Sequence, residues 1–105
     1  MITLNQLAQL LDTLPYPVSY SDFNKKVNPP FIAYKETGTN NFAADNRVWK
    51  KVRSVEVQLY TDKKDLKIEK QIEDLFYNHS IYYDADDFFI EKENLHQRIY
   101  YITTI

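Results

Sequence analysis

Two histidines are the side chains in this sequence best suited to acid–base chemistry near neutral pH. His79 lies four residues after Leu75, at the end of a predicted helix, where a histidine more often caps the last carbonyls than catalyses. His96 lies in a predicted strand two residues before Arg98, with Glu93 near it in the sequence. This combination could support acid–base catalysis, but nothing in the sequence fixes the geometry, so we assign no catalytic residue.

Three aspartates, Asp84, Asp86 and Asp87, form the densest group of potential metal ligands. A calcium-binding EF-hand loop that began at Asp84 would need glycine at its sixth position, where this sequence has Phe89. A solvated turn therefore explains the aspartates better than a metal site does. The sequence also has no cysteine for a zinc cluster and only one glycine, too few for a phosphate-binding loop. We predict no metal, no cofactor and no enzymatic activity.

The charge balance argues against specific nucleic-acid recognition. The 105 residues include 13 basic and 15 acidic side chains, a formal net charge of −2, whereas nucleic-acid binders concentrate positive charge to contact phosphates. Lys50, Lys51 and Arg53 form the one tight basic cluster. The sequence has neither a signal-peptide pattern after Met1 nor a run of about 20 apolar residues that could cross a membrane. We expect a cytoplasmic protein without a membrane partner.

Two segments have the apolar spacing of amphipathic helices. The first, Thr3 to Leu14, has Gln6 three residues after its first threonine, which is the spacing of a capping box. The second spans Asp62 to Asn78, and we expect Thr61 or Asp62 to cap it. The apolar side of each helix is expected to pack on a core.

The other apolar segments have the composition or the two-residue alternation of strands. They are Val18–Tyr20, Phe31–Lys35, Val48–Tyr60, Ile81–Tyr83 with Phe88–Lys92, and Leu95–Ile105. A long loop is predicted from Thr37 to Arg47, and a turn from Asp84 to Asp87. The last strand is apolar on both faces, so we expect it to be central in its sheet or covered on its second face.

These elements predict a single α+β domain over residues 1–105, with a mostly antiparallel sheet and two helices packed on one face. The order along the chain is α-β-β-β-α-β-β. Nine tyrosines, six phenylalanines and one tryptophan are many for so small a core. Tyr and Trp combine apolar area with a polar group and are favoured at interfaces. We therefore expect some of them to face a partner.

Three stretches of the sequence resemble a known family. They are Pro-Pro-Phe-Ile-Ala-Tyr at 29–34, Asn-Phe-Ala-Ala-Asp-Asn at 41–46, and Val-Glu-Val-Gln-Leu-Tyr-Thr-Asp-Lys-Lys-Asp at 55–65, followed by Glu69 and Ile72-Glu73. With these motifs the chain, from about Leu14 to Ile105, resembles small tail proteins of phages and prophages of low-GC Gram-positive bacteria. These are the tail-terminator or tail-completion (head–tail joining) proteins of long-tailed phages.

The resemblance implies a sheet with helices on one side and a ring, commonly a hexamer, at the head-proximal end of the tail tube. Such a ring stops growth of the tube and offers a surface to the head connector, while DNA passes through it without sequence recognition. The implied partners are further copies of the chain, the tail-tube protein and the head–tail connector protein. The implied location is the host cytoplasm during assembly and then the virion.

A head-to-tail ring uses two different patches on each subunit. We assign one patch to the loop around Phe42 and the strand end near Trp49, and the other to the tyrosine-rich last strand. The residues assigned to the two patches are Asn41, Phe42, Asp45, Trp49, Lys50, Lys51, Tyr100 and Ile102.

Two other functions remain open at this stage. The chain could be a small cytoplasmic adaptor that binds an unidentified protein. It could also be an enzyme such as a small ribonuclease toxin, but such a toxin is expected to have a basic surface for RNA, which this sequence does not indicate.

Overall fold

The computed structural model describes residues 1–21, 27–39, 42–44, 47–50 and 52–105, with the backbone alone at 42–44 and 47–50. Two helices and seven strands follow one another along these residues. They are α1 (Leu4–Leu11), β1 (Val18–Tyr20), β2 (Phe31–Thr39), β3 (Phe42–Ala44), β4 (Arg47–Lys50), β5 (Arg53–Thr61), α2 (Leu66–Asn78), β6 (Asp84–Ile90) and β7 (Leu95–Thr104).

Five of the strands form one sheet in the order β1-β2-β5-β7-β6, and β3 and β4 form a separate two-stranded hairpin. β1 runs parallel to β2, and every other pair in the sheet is antiparallel. The predicted α+β class and the order α-β-β-β-α-β-β are confirmed for the two helices and the five-stranded sheet. The β3–β4 hairpin lies between β2 and β5 in the chain.

The predicted capping box starts α1. The backbone N–H of Gln6 donates to Thr3 Oγ1 at 3.1 Å, and the backbone N–H of Thr3 donates to Gln6 Oε1 at 2.9 Å. Both otherwise unpaired donors are therefore satisfied. The helix ends at Leu11, earlier than predicted, because Asp12 is its C-cap and the chain tightens into a turn before Pro15.

The cap of α2 is Asp65, so the prediction of Thr61 or Asp62 was wrong. Asp65 Oδ1 accepts from the backbone N–H groups of Lys67 at 3.1 Å and Ile68 at 3.2 Å. Thr61 is instead the last residue of β5 and is buried in the sheet. The helix begins four residues later than predicted because strand pairing holds the chain extended through Thr61.

His79 ends α2, as predicted. It is the C-cap residue, and its Nδ1 lies 2.9 Å from the carbonyl oxygen of Leu75. Ser80 and Ile81 then donate their backbone N–H groups to carbonyls of the last turn at 3.2 and 2.8 Å, which is the Schellman pattern. Ser80 takes the left-handed conformation of this motif with a φ of 55°.

The core lies between the two helices and one face of the sheet. On β5 the predicted alternation is confirmed: Val55, Val57 and Leu59 are buried and face the helices. The other buried members of this core are Leu7, Leu11, Ile32, Ile68, Ile72, Phe76, Tyr100 and Ile102. We call the opposite side of the sheet, which carries Glu56 and Gln58, the open face.

The predicted loop from Thr37 to Arg47 and the predicted single strand from Val48 to Tyr60 were wrong. β2 continues to Thr39, β3 and β4 pair as a hairpin, and β5 begins only at Arg53. A register shift between Glu36 and Gly38 marks a β-bulge, which is one extra residue in β2. Beyond the bulge, Gly38 and Thr39 continue to pair with β5.

The predicted turn from Asp84 to Asp87 was also wrong. These residues begin β6, which pairs with β7 from Asp84 opposite Tyr101 to Ile90 opposite Leu95. The turn lies further along the chain, where Asn94 adopts a φ of 53° just before β7 begins.

We expect Val57→Asp to unfold the protein, because Val57 is fully buried between the helices and the sheet and an unpaired buried charge costs about 4 kcal/mol or more. Ser54→Asp introduces the same charge on the open face of the same strand and is expected to cost about 1 kcal/mol or less. Circular dichroism with urea denaturation measures both. Equal stability of the two variants would contradict the assignment of the β5 faces.

Candidate functional site

A cluster of titratable side chains fills the space between α2 and the β6–β7 pair. Its members, which we call the α2–β7 charge network, are Lys64, Glu69, Glu73, Asp87, His96 and Arg98. Strand register places it: Arg98 lies opposite Leu59 and therefore points to the helix side of β7. Glu69 and Glu73 lie one turn apart on the side of α2 that meets the sheet.

Glu69 is the most buried charge of the network, with only 4% of its surface exposed. Its Oε1 lies 2.9 Å from Lys64 Nζ and 3.4 Å from Arg98 Nε. A carboxylate this deeply buried is tolerated only when cations pair with it. The two contacts therefore join the start of α2 to β7.

Asp87 is the residue of β6 that enters the network, and three partners reach its carboxylate. Lys64 Nζ and His96 Nε2 lie 3.0 and 2.9 Å from its Oδ1, and Arg98 Nη1 lies 2.7 Å from its Oδ2. Partial burial alone would raise the pKa of Asp87, but the hydrogen bonds to His96 and Lys64 and the charge of Arg98 outweigh it, so its pKa is lowered.

Tyr100 closes the network toward the core. Its hydroxyl donates to Glu73 Oε2 at 2.8 Å and accepts from Arg98 Nε at 3.0 Å. Its ring makes edge contacts with Phe76 and Tyr83. Burial, followed by the hydrogen bond to Glu73, raises the pKa of Tyr100 far above its ordinary value, so the phenol stays neutral and serves as a donor.

The titratable groups of the network pair with one another. His96 forms its contact with Asp87. Glu93, which the sequence analysis considered as its acid–base partner, does not take part in this contact. Ligand atoms of Glu69, Asp87 and His96 lie within 4.8 Å of one another, close enough for a metal ion. Lys64 already bridges the two carboxylates, however, and its fixed charge opposes a further cation there. We interpret the cluster as an ion-pair network.

The structure places two of the residues assigned to an interface in the core. Tyr100 and Ile102 face the helices and are buried, so neither presents a surface to a partner. The last strand does have two apolar faces, as predicted. Ile99, which precedes these residues, and Tyr101, which lies between them, are on the open face and are only partly buried.

The other assigned interface residues belong to the segment around the hairpin. Phe42 lies in β3, and Trp49 and Lys50 lie in β4, with their backbone alone described. Asn41, Asp45 and Lys51 lie outside the described residues. That part of the interface assignment stays a prediction.

A polar ladder crosses the open face of the sheet. Gln97 Nε2 donates to the Tyr60 hydroxyl at 2.8 Å, which donates to Gln58 Oε1 at 2.8 Å, and Gln58 Nε2 donates to Glu56 Oε1 at 2.9 Å. Phe31 stacks on the Tyr60 ring at a centroid distance of 4.7 Å. Strand alternation indicates which residues share this face, but it does not reveal this ladder.

A shallow groove of about 480 Å³ lies where α2 ends and β6 begins. It is lined by Glu73, Asp74, Tyr77, Ile81, Tyr82 and Tyr83. Tyr77 and Tyr82 are 83% and 80% exposed, and the Tyr82 hydroxyl donates to Asp84 Oδ1 at 3.1 Å. Aromatic faces beside carboxylates attract cations, so this surface is suited to a basic side chain.

No family model and no curated protein matches the sequence. Among the described residues, neither helix has the length and apolar character needed to span a membrane.

We expect Glu69→Gln to lower the free energy of unfolding by about 2 kcal/mol, because it removes a buried charge-assisted contact of Lys64 and Arg98. The matched control is Asp74→Asn, which removes a charge from the same helix. Asp74 pairs with Lys70 on the exposed side, so the expected loss is about 0.5 kcal/mol or less. Urea denaturation measures both, and equal losses would contradict a structural role for the network.

The lowered pKa of Asp87 predicts a contribution to stability that depends on pH. It is complete above the unfolded-state pKa of about 3.9 and is lost as the pH falls through the lower folded-state value. We expect the difference in unfolding free energy between the wild-type protein and Asp87→Asn to be about 1 kcal/mol near neutral pH, since solvent screens this partly exposed group. The difference should shrink below about pH 4. Growth of the difference on acidification would contradict the assignment.

Proposed function

We propose that this protein is a structural component of a phage tail, a tail terminator or tail-completion protein. Its copies form a ring at the head-proximal end of the tail tube and join the tube to the head connector. Support comes from the three sequence motifs and from a sheet whose helices lie on one side only. The role is non-catalytic, in keeping with a charge network whose members compensate one another.

The observation that carries the proposal is the size of the exposed surface. A monomeric protein of 12.6 kDa is expected to expose about 6,200 Å², whereas this chain exposes 7165 Å². Its radius of gyration is 14.8 Å, against about 12.9 Å for a compact domain of this length. The surplus is ~1,000 Å², and one partner contributes ~800 Å² to each standard interface, so the subunit has extra surface for association.

The composition of that surface points in the same direction. Large side chains with apolar area remain exposed where the sheet ends at β6 and where α2 ends. Tyr77, Tyr82, Phe88 and Phe89 are 83%, 80%, 46% and 57% exposed. A group of exposed aromatic residues near one edge of a sheet is typical of a surface that another subunit covers.

The test is light scattering coupled to size-exclusion chromatography over a range of concentrations. We expect a species of about six times 12.6 kDa, which electron microscopy should resolve as a ring with a central opening. Because ring formation is an association, the fraction assembled should rise with concentration.

A protein that stays monomeric at every concentration, even with purified tail-tube protein added, would overturn the proposal. A monomer or closed dimer that binds a different protein would support the adaptor instead, since an adaptor needs one surface for its partner and no ring closure.

A further inference from the structure

β6 forms one edge of the five-stranded sheet. Within the described residues it pairs with β7 alone, so the backbone N–H and C=O groups along its outer side have no strand beside them. Natural edge strands are usually protected by charged side chains, especially lysine, by proline, by a bulge or by a covering loop. β6 has the sequence Asp-Ala-Asp-Asp-Phe-Phe-Ile, without lysine or proline. Its aspartates disfavour an acidic strand at this edge but favour one that brings basic residues.

A strip of alternating residues runs along the open-face side of this edge. Asp84 and Asp86 lie opposite Tyr101 and Ile99 of β7, and Phe88 follows on the same face. Tyr82 lies beside them, because its hydroxyl donates to Asp84. We call Tyr82, Asp84, Asp86 and Phe88 the β6 edge strip; all four are exposed.

No side chain that the structure describes forms an ion pair with the carboxylates of the strip. Asp87, which points to the helix side, has Lys64, His96 and Arg98 around it. Asp84 and Asp86 form no salt bridge with any described residue. Two uncompensated carboxylates between two aromatic rings are complementary to a strand that carries basic and aromatic residues.

The chain itself contains a segment of this composition, and its first four residues form β4. Residues 47–53 read Arg-Val-Trp-Lys-Lys-Val-Arg, the densest basic segment of the sequence. Arg53 pairs with Glu36 of its own chain. The remaining basic residues, Arg47, Lys50 and Lys51, belong to or follow β4, which pairs with β3 and is not part of the main sheet.

We propose that neighbouring subunits meet head to tail, with the basic β3–β4 hairpin of one copy docked on the β6 edge strip of the next. This contact rests on the proposed function, because a ring requires two different patches on each subunit. Charge also disfavours the alternative pairing of two β6 edges. Such a dimer would bring Asp84 and Asp86 of both copies together, and like charges across a strand pair are destabilising.

Charge reversal and rescue test the contact. The edge variant Asp84→Lys with Asp86→Lys and the hairpin variant Arg47→Glu with Lys50→Glu each place like charges across the contact. We expect each variant alone to assemble at least about tenfold more weakly than the wild-type protein. A one-to-one mixture should recover assembly, because opposite charges then meet at every contact of an alternating ring.

The matched control is Lys63→Glu with Lys67→Glu, which reverses two exposed lysines that belong to neither patch and should assemble like the wild-type protein. Circular dichroism establishes that each variant is folded. Wild-type assembly of either contact variant, or a mixture that does not recover, would overturn the contact while leaving the ring itself in place.

Cross-linking gives an independent readout because the chain has no cysteine. Asp86→Cys and Lys50→Cys chains, mixed and oxidised, should form a disulfide between the two kinds of chain. Neither chain should cross-link with itself. Self-cross-linking of Asp86→Cys, or no cross-link in a mixture that light scattering shows to be assembled, would overturn the contact. A wild-type protein that does not assemble even with purified tail-tube protein added would overturn both the contact and the proposed function.

Discussion

β5 lies between β2 and β7, and its side chains at Val55, Val57 and Leu59 fill the middle of the helix-covered face. Burial of this apolar row is the interaction on which the other elements depend. Each helix contributes an apolar stripe, and this stripe stabilises the protein only when it packs on β5 and its neighbours. β2 and β7 take their registers from β5, so the positions of Ile32 and Tyr100 in the core follow from it.

Beyond the end of this apolar row, ion pairs hold α2 against the sheet. Arg98 precedes Tyr100 by two residues in β7, so it lies on the same, helix-covered side of the sheet. There it pairs with Glu69 and Glu73 of α2. Asp87 then brings in β6. Apolar packing tolerates small rotations of a helix, whereas paired charges that are largely buried require their partners at fixed places. The network therefore defines how α2 sits over the β6–β7 pair, and it explains why so many charged residues occur near a small core.

The sequence predicted those features that depend on local chemistry. The capping box depends on two nearby residues, Thr3 and Gln6, and the alternation along β5 depends on one strand. Both could therefore be predicted from the sequence. The first half of β6 was missed because aspartates at Asp84 and Asp87 are typical of turns, and the cations that compensate Asp87 come from other elements. The last strand is apolar on both faces, so its sequence alone did not reveal that Tyr100 and Ile102 face the helices. The charge network was likewise hidden, since its members are scattered from residue 64 to 98.

The order of the strands also has a kinetic consequence. Among the described strands of the five-stranded sheet, only β6 and β7 are neighbours both in the chain and in the sheet with a short turn between them. β5 must find β7 across α2 and β6, with Arg53 opposite Thr104. Closing such long loops costs entropy before any contact compensates for it, so sheets of this kind fold slowly, on the order of milliseconds to seconds. The β6–β7 hairpin can form first. The outer edge of β6 is then exposed while the core is not yet packed. Premature association between chains is therefore most favoured before β5 pairs with β7.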